Sequence, residues 1–556
     1  MNSDQRKNEK KVFIGLISAC VLTYLIGWQI PLMEIDAVQY ANISREMLLH
    51  KNFFQIYDQG RDYLDKPPML FWLSSASMKL FGVNDAAYRL PSFFFSILSI
   101  YSVYRFSRLF YAEKVALLNA LVLAGSQAMF LINHDTRTDT MLMGWVIFSI
   151  WQLAAWLQTK KWTNLILGAV AIAGGMLTKG PIALMVPIFA FSTHFILTRS
   201  FAAFFRWEWL LLLLIIGILL MPMNIGLYRQ YDLHPEKVMY GKKGISGIRF
   251  FYWTQSFGRI TGESTWRENS SFLFLFENLL WGFLPWTIFF LLGLATGIRQ
   301  WVRNKFFVRN GEEAISLGGF GVTYCALASS KAQLPHYIYI VLPLASIITG
   351  KFLFRLFYNR NYKGWLAPLS KVHGLLFSLL LIALFLLITV PFPPLQPAII
   401  ISAGLMTILF LLIWLQKSNP LPKLLTGCVL IIIFINCWLD VGFYPKLLQF
   451  QMSIPVSRFI QDNHLDKDKI FLYQLEPSRS LDFYSNHSFQ NTDDPDTLHQ
   501  QNFLLTSQKG IDMINRTHFK VIDSGFAFHV SRLSLPLLDS AKRRVNSDAY
   551  YILERF

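Results

Sequence analysis

Three residues near the start of the chain could do chemistry together. Asp36 stands just behind the apolar run Val12 to Met33, and Asp65-Lys66 precede the stiff pair Pro67-Pro68. A run of about 18 or more apolar residues is a membrane-crossing candidate, so Asp36 opens onto a membrane surface. Ionisable groups held close to hydrocarbon are costly unless they are paired or useful, which makes them candidates for a site. Further along come Asp135 and Asp139, Lys179-Gly180-Pro181, Arg249 and Arg259, Lys331, and His336-Tyr337. Carboxylates mixed with Lys, Arg and Tyr at one membrane face suit a substrate with a phosphate headgroup and a lipid tail. The cations would hold phosphate through charge-assisted hydrogen bonds. A carboxylate would serve as general base or stabilise positive charge on a sugar ring.

Each of these motifs also has a plainer reading. Glu34, Asp36, Arg45, Glu46, Asp65 and Lys66 could form the solvated face of an outer loop. Lys179-Gly180-Pro181 could simply end a helix, since Gly and Pro are common there. Asp135 could be solvated with Arg137 as its partner, and His336 and Tyr337 could be aromatic-belt residues. Trp281 and Trp286 read as belt or packing residues.

The elements that must position these groups follow from composition. Of 556 residues, 53% are hydrophobic, 16% aromatic and only 15% charged, with a mean hydropathy of +0.38. Soluble domains carry about 25% charged residues, so the chain reads as a polytopic membrane protein. Its net charge of +17 does not point to nucleic acid, because the basic residues are spread over short loops between apolar runs. That spread fits the positive-inside rule and attraction to anionic headgroups. Cys20, Cys325, Cys428 and Cys437 all lie in apolar runs and read as small hydrophobes, not as a disulfide framework. The charged start MNSDQRKNEKK precedes a run too long for a signal peptide and without a small-residue cleavage site. It predicts an uncleaved first span.

Behind that span lies a polar loop, residues 34–85, with two amphipathic segments expected to lie on the membrane, Ala37–His50 and Pro67–Leu80. Apolar runs follow at about 87–107, 115–133, 140–158, 163–178, 182–198 and 208–227. A second polar loop occupies 228–272, and runs resume at about 274–298, 314–330, 337–356, 372–391, 398–416 and 424–443. The expectation is an all-α polytopic membrane protein of about thirteen transmembrane helices, each near the ~20 residues needed to cross.

Counting Lys and Arg on alternate loops fits one orientation. Basic loops such as Arg105–Lys114, Lys160-Lys161, Arg299–Arg309 and Arg355–Lys371 fall on the inside, while 134–139, 179–181, 329–336 and 391–397 fall outside. Both long loops, the charged motifs and everything after residue 443 then share the outer face. The tail, 444–556, carries short β-like runs (Lys469–Leu475, Phe503–Ser507, Phe519–Asp523, Ala549–Leu553) between helical patterns at Val456–His464 and Lys509–Arg516. It predicts a small C-terminal α/β periplasmic domain serving as a lid or packing module. The division is thus 1–443, a transmembrane domain with periplasmic loops 34–85 and 228–272, and 444–556.

The segments IDAVQYANISREM, YLDKPPMLFWLSS, FGVNDAAYRLPS, TDTMLMGW, LTKGP and SSKAQLPHYIYIVLP, in that order, carry a family resemblance. They are similar to the bacterial aminoarabinose transferases of lipid A. More broadly the chain resembles the C-type membrane glycosyltransferases that include protein O-mannosyltransferases. The resemblance covers residues 12 to about 350 well and the remainder more loosely. It implies a polyprenyl-phosphate-sugar donor and inverting sugar transfer at the periplasmic face of the bacterial inner membrane, to lipid A, another envelope glycan or a protein.

Residue by residue, the resemblance implies the following. Asp36 is similar to the family's first-loop Asp, and would deprotonate a hydroxyl acceptor or orient a phosphate acceptor. Asp65 and Lys66 match the acidic-Lys pair, with Lys66 on the donor phosphate. Asp139 matches the Asp opening the fourth span, Tyr337 the Tyr after Leu-Pro, and Arg259 an Arg of the second long loop. Lys179 and Lys331 are further phosphate-binding candidates. The lipid A enzymes carry in that loop a His that helps bind a metal. Here YWTQSFGRI shows Ser256 or Phe257 near that place, so a divalent metal on Asp65 is left open and no cofactor is certain. A transporter or flippase of lipid-linked sugars is the rival class. Transporters tend to show repeated, interrupted helices around a midplane site, whereas this chain shows no clear internal repeat and its charges gather at one face.

Overall fold

Apolar runs become helices here because hydrocarbon offers no partner to a backbone N–H or C=O, and a helix pairs them internally. A computed structural model describes residues 3–256, 258–261, 263, 271–309, 311–392, 404, 408, 422–514 and 518–556. Six described helices are long and apolar enough to cross a membrane, and a bent pair makes seven. The expected run 398–416 lies, but for residues 404 and 408, outside the described residues.

Other expected runs are helical but altered. Run 115–133 divides into Glu113–Ala124 and Gln127–His134, bent by 51°. At the break the buried Trp286 indole donates to the Gly125 carbonyl at 2.9 Å, taking up an acceptor that the helix has left. Run 274–298 divides around Pro285 into Phe274–Gly282 and Thr287–Arg303; proline has no N–H to continue a helix. Ile182–Leu197 and Ile315–Ala328 hold 16 and 14 residues, short of the ~20 that cross.

Asp85–Phe110 is long enough but interrupted by Ser92, Ser96, Ser99, Ser102 and Ser107, all buried. These small residues let it pack closely on Thr138–Thr159. Ser96 and Ser99 return their hydroxyls to the carbonyls of Ser92 and Phe95, at 3.3 and 2.8 Å, which keeps them satisfied away from water. The two central spans, Thr138–Thr159 and Pro335–Tyr358, are 78% buried over their apolar windows. The peripheral Glu208–Asp232 and Arg360–Thr389 are 28% and 22% buried. Outward leucines and isoleucines such as Leu210, Leu214 and Ile218 are exposed, as expected where the surroundings are lipid.

The first helix begins at Ser3, earlier than the apolar run, and ends at Ile26. Its charged start is held against the start of helix Glu113–Ala124 by Lys10–Glu113 at 2.6 Å and Lys114–Glu9 at 2.5 Å. After it the chain turns under Arg89. That guanidinium is 1% exposed and donates to the carbonyls of Ile30 at 2.6 Å, His134 at 3.1 Å and Trp28 at 3.2 Å. It thereby fixes the chain where the first loop leaves the first helix.

Both amphipathic segments of that loop are helices, Asp36–His50 and Met69–Phe81. The expectation that Asp36–His50 lies on the membrane is corrected. Ten of its residues are buried, including Arg45 and Glu46, 1% and 4% exposed. Its polar face is covered by protein. Arg45 donates to Ser488 Oγ at 3.2 Å, and Gln59, on the turn between strands β1 (Tyr57–Asp58) and β2 (Arg61–Asp62), donates to Asp482 at 2.8 Å. The second loop forms a similar hairpin, β3 (Val238–Met239) with β4 (Lys242–Lys243).

The tail is the expected small α/β unit. Strands β5 (Ile470–Tyr473), β6 (Gln490–Asn491), β7 (Phe503–Ser507), β8 (Phe519–Ala527) and β9 (Asp548–Arg555) form one sheet ordered β6-β5-β7-β9-β8. The β5 strand runs parallel to β6 and β7; β9 runs antiparallel to β7 and β8. Helix Ser453–Asp462 buries Val456 and Ile460 against Ile470, Leu472, Leu505 and Ile552. Helix Arg479–Ser485 faces the first loop instead, where Arg479 holds Asp58 at 2.8 Å and the Tyr484 hydroxyl donates to Asp85 at 2.7 Å.

Candidate active site

Asp36 is the first residue of its helix, where the positive end of the helix dipole favours a carboxylate. Its Oδ2 meets Arg137 Nη1 at 2.6 Å. Arg137 has an extended backbone just ahead of Thr138–Thr159. It bridges two elements, because its Nε also holds Asp135 Oδ2 at 2.8 Å and its Nη1 lies 3.3 Å from His336 Nδ1. Burial works against the guanidinium charge, but the carboxylates of Asp135 and Asp36 outweigh it and hold its pKa above the ordinary value. Arg137 is therefore a fixed cation between two anions from different loops.

Two residues on, Asp139 is 3% exposed. Lys179 ends helix Trp162–Lys179, and its Nζ reaches Asp139 Oδ1 at 2.5 Å while lying 4.1 Å from the centre of the Tyr337 ring. Gly180 has φ +101°, a left-handed conformation that side chains rarely adopt, and so turns the chain at that point. Lys179-Gly180-Pro181 does end the helix, as its plainer reading had it. Removing one partner of such a buried pair costs about 3–5 kcal/mol, since it strands a charge.

From the first loop, Asp65 pairs with Lys66, and Asp65 Oδ1 accepts from Gln255 Nε2 at 2.5 Å. The second loop thus closes onto the first. These groups surround a cavity of about 130 Å³. Its polar lining includes Asp65, Lys66, Asp139, Lys179, Gln255, Ser256 and Tyr337; its apolar lining includes Leu142, Ile182, Met185, Leu327 and Ile340 from the helices. A lining that mixes ammonium groups, each paired with a carboxylate, and hydrocarbon side chains can take a ligand with an anionic head and an apolar tail.

The structure therefore brings Asp65, Lys66, Asp139, Lys179 and Tyr337 to one cavity. Asp36 does not line it and is joined to it through Arg137, His336 and Asp139. Lys331 is exposed on the turn before Pro335 and does not line this cavity. The side chain of Arg259 lies outside the described residues; its backbone is in a short helix, Gly258–Thr261. Arg249 is exposed beside Glu263 at 3.7 Å. Asp65 stands with a lysine and an amide, which do not make a metal ligand set. Among the described residues no group of three or more His, Cys, Asp or Glu side chains gathers.

Sequence reasoning paired Arg137 with Asp135 but missed its bond to Asp36, and it gave Gln255 no role. Three carboxylates near hydrocarbon, Asp36, Asp135 and Asp139, called for more cations than one loop supplied, and that imbalance was the available signal.

Residues 65–225 match the protein family described as dolichyl-phosphate-mannose-protein mannosyltransferase. The chain is 29% identical, over 60% of its length and 56% of the relative's, to undecaprenyl phosphate-alpha-4-amino-4-deoxy-L-arabinose arabinosyl transferase of Wigglesworthia glossinidia brevipalpis. It is 30% identical to the protein of the same name from Erwinia tasmaniensis, over 50% of this chain and 48% of that one. The chain thus spans about half the length of the curated relatives it matches. Its fold is similar to that of ArnT from Cupriavidus metallidurans in the crystal structure bound to undecaprenyl phosphate. The TM-score is 0.70 at 16% identity, and the match covers 97% of each chain. The apo form of the same protein gives 0.68 at 17% identity, over 92% of this chain and 96% of that one. The resemblance read from the motifs is borne out.

Proposed function

We propose that this chain is an integral membrane glycosyltransferase that moves a sugar from a polyprenyl-phosphate donor to lipid A or another envelope acceptor. The observation that carries this reading is the cavity lined by Lys66 and Lys179 together with apolar side chains of the helices, a fit for a phosphate on a prenyl tail. The printed names of the relatives, and undecaprenyl phosphate on the ArnT of like fold, support the same donor class. The family matched by residues 65–225 is described by a protein acceptor, and that favours protein O-glycosylation as the second reading.

In the reaction the bond between the anomeric carbon and the donor phosphate oxygen breaks, and one to the acceptor oxygen forms. Polyprenyl phosphate leaves with the electron pair. Lys66 and Lys179, joined by Arg259, would stabilise the negative charge that grows there. Asp65 and Asp139 hold the two lysines, and Tyr337 offers the Lys179 ammonium its ring face. Asp36 takes the proton of a hydroxyl acceptor, with Arg137 holding the carboxylate in place. Incubating the purified chain in nanodiscs with undecaprenyl-phosphate aminoarabinose and lipid A tests this. Mass spectrometry should show free undecaprenyl phosphate and sugar-bearing lipid A. Movement of intact donor across the bilayer without cleavage would instead make the protein a flippase.

The same reading places about thirteen spans in the bacterial inner membrane. The site and residues 444–556 face the periplasm as a separate domain, and residues 1–443 form the transmembrane part. Alkaline phosphatase fused at residue 460 should be active, and a fusion at residue 305 inactive. Reversed activities would put the site on the wrong face for a periplasmic acceptor.

A further inference from the structure

The far ends of the helices enclose another cavity, of about 130 Å³, between Thr287–Arg303, Ile315–Ala328 and Leu342–Tyr358. Span Pro335–Tyr358 serves both: Tyr337 and Ile340 line the first cavity, and Ile348, Lys351, Phe352 and Arg355 line this one. A helix rises about 1.5 Å per residue, which puts Lys351 roughly 15 Å along the span from Ile340. The two cavities share no residue. In the far one, Glu313 is fully buried and satisfied from within. It accepts from Lys351 Nζ at 3.3 Å, from Ser316 Oγ at 2.6 Å and N at 2.8 Å, and from the Tyr111 hydroxyl. Lys351 is thereby neutralised. Arg355 is not. Its Nη2 donates to the neutral amide oxygen of Gln300 at 3.2 Å, and among the described residues no carboxylate lies within 4.0 Å of it.

The stretch that supplies Gln300, Asn304 and Val308 to the wall also carries Arg299, Arg303, Lys305 and Arg309, all exposed. None of these four pairs with a carboxylate among the described residues. Against them stands Glu312, exposed and also lining the cavity. The remaining wall is apolar: Leu317, Ile348 and Phe352, with Gly293 and Gly297 adding no side chain. A half-buried guanidinium beside hydrocarbon and within a basic rim calls for an anion, and basic pockets between membrane helices take anionic lipid heads. Glu312 asks for a donor on the same ligand. The geometry points to a site for the head of an anionic phospholipid of the phosphatidylglycerol class. Its phosphodiester meets Arg355, a glycerol hydroxyl donates to Glu312, and its first acyl carbons lie against Leu317, Ile348 and Phe352. Free phosphate brings neither the donor of an ester head nor an apolar part, and phosphatidylethanolamine would set an ammonium among four cations. The site stands apart from the transfer reaction and does not depend on it.

The test uses the full chain, delipidated in detergent, with native mass spectrometry and four probes: phosphatidylglycerol, phosphatidylethanolamine, glycerol 3-phosphate and undecaprenyl phosphate. Wild type should hold phosphatidylglycerol about tenfold more tightly than phosphatidylethanolamine, and Arg355→Gln should abolish that preference, the scale of one hydrogen bond between charged groups. Glycerol 3-phosphate should not displace the lipid. Undecaprenyl phosphate should bind Arg355→Gln as it binds wild type, and phosphatidylglycerol should bind Lys66→Ala as it binds wild type. A photoreactive phosphatidylglycerol should label wild-type peptides containing Leu317 or Phe352, which keeps the test decisive even where Arg355→Gln fails to fold. Equal retention of the two phospholipids, an unchanged preference in folded Arg355→Gln, or displacement by glycerol 3-phosphate would overturn the proposal. So would labelling confined to other peptides, or loss of phosphatidylglycerol from Lys66→Ala, which would put the lipid in the first cavity.

Discussion

Asp36→Asn should stay folded in the membrane and lower sugar transfer by at least about two orders of magnitude, the scale of positioned acid–base help. The amide keeps the shape of the side chain and an oxygen for Arg137, whose other carboxylate, Asp135 at 2.8 Å, remains. Little of the local packing is therefore lost. What disappears is the only part of the side chain able to take a proton from an acceptor hydroxyl. The variant should bind undecaprenyl phosphate as wild type does, since Asp36 does not line the first cavity, and its loss should fall on kcat. Near-normal turnover by the purified variant would return Asp36 to the role of a structural partner for Arg137.

Lys66→Ala should weaken binding of a polyprenyl-phosphate donor about tenfold and lower turnover by a further one to two orders of magnitude, because the leaving phosphate gains charge in the transition state. The ammonium is held by Asp65, itself fixed by Gln255 at 2.5 Å, and the two prolines behind it restrict the backbone. It is thus presented, not free to wander. Lys66→Arg should recover only part of the loss, a planar fork being a poor substitute for a compact ammonium in a small cavity. Lys160→Ala, at the far end of helix Thr138–Thr159, is the control and should behave as wild type. The measurement is donor binding and single-turnover transfer in nanodiscs; if Lys66→Ala matched Lys160→Ala in both, the phosphate site would have to be moved away from the first cavity.

Much of this architecture was legible in order along the chain. Apolar runs marked helices because hydrocarbon demands internally paired backbone. In the tail, Phe503–Ser507 has the boundaries its β-like pattern predicted, a short apolar strand between polar segments. Asp139 was visible as a charge opening an apolar run, and Asp65-Lys66 as charges on a turn stiffened by two prolines. Amphipathic pattern, by contrast, did not reveal what covers it. Asp36–His50 has the same periodicity whether its polar face meets water or the sheet domain, and only the docking of Arg479–Ser485 decided for protein.

The pairings were decided only in three dimensions. Arg137 finds Asp36 across 101 residues and Gln255 finds Asp65 across 190. Such partners are chosen by where helix ends converge after the spans pack, and no local spacing encodes that. The bend at Gly125 is of the same kind, since it depends on the Trp286 indole arriving from a distant helix. The sequence by itself therefore determined which residues lie in the loops between apolar runs and which chemical groups are available there. The tertiary structure decided which of them stand together, because ion pairs near hydrocarbon form only between charges that the packing of the helices brings within reach.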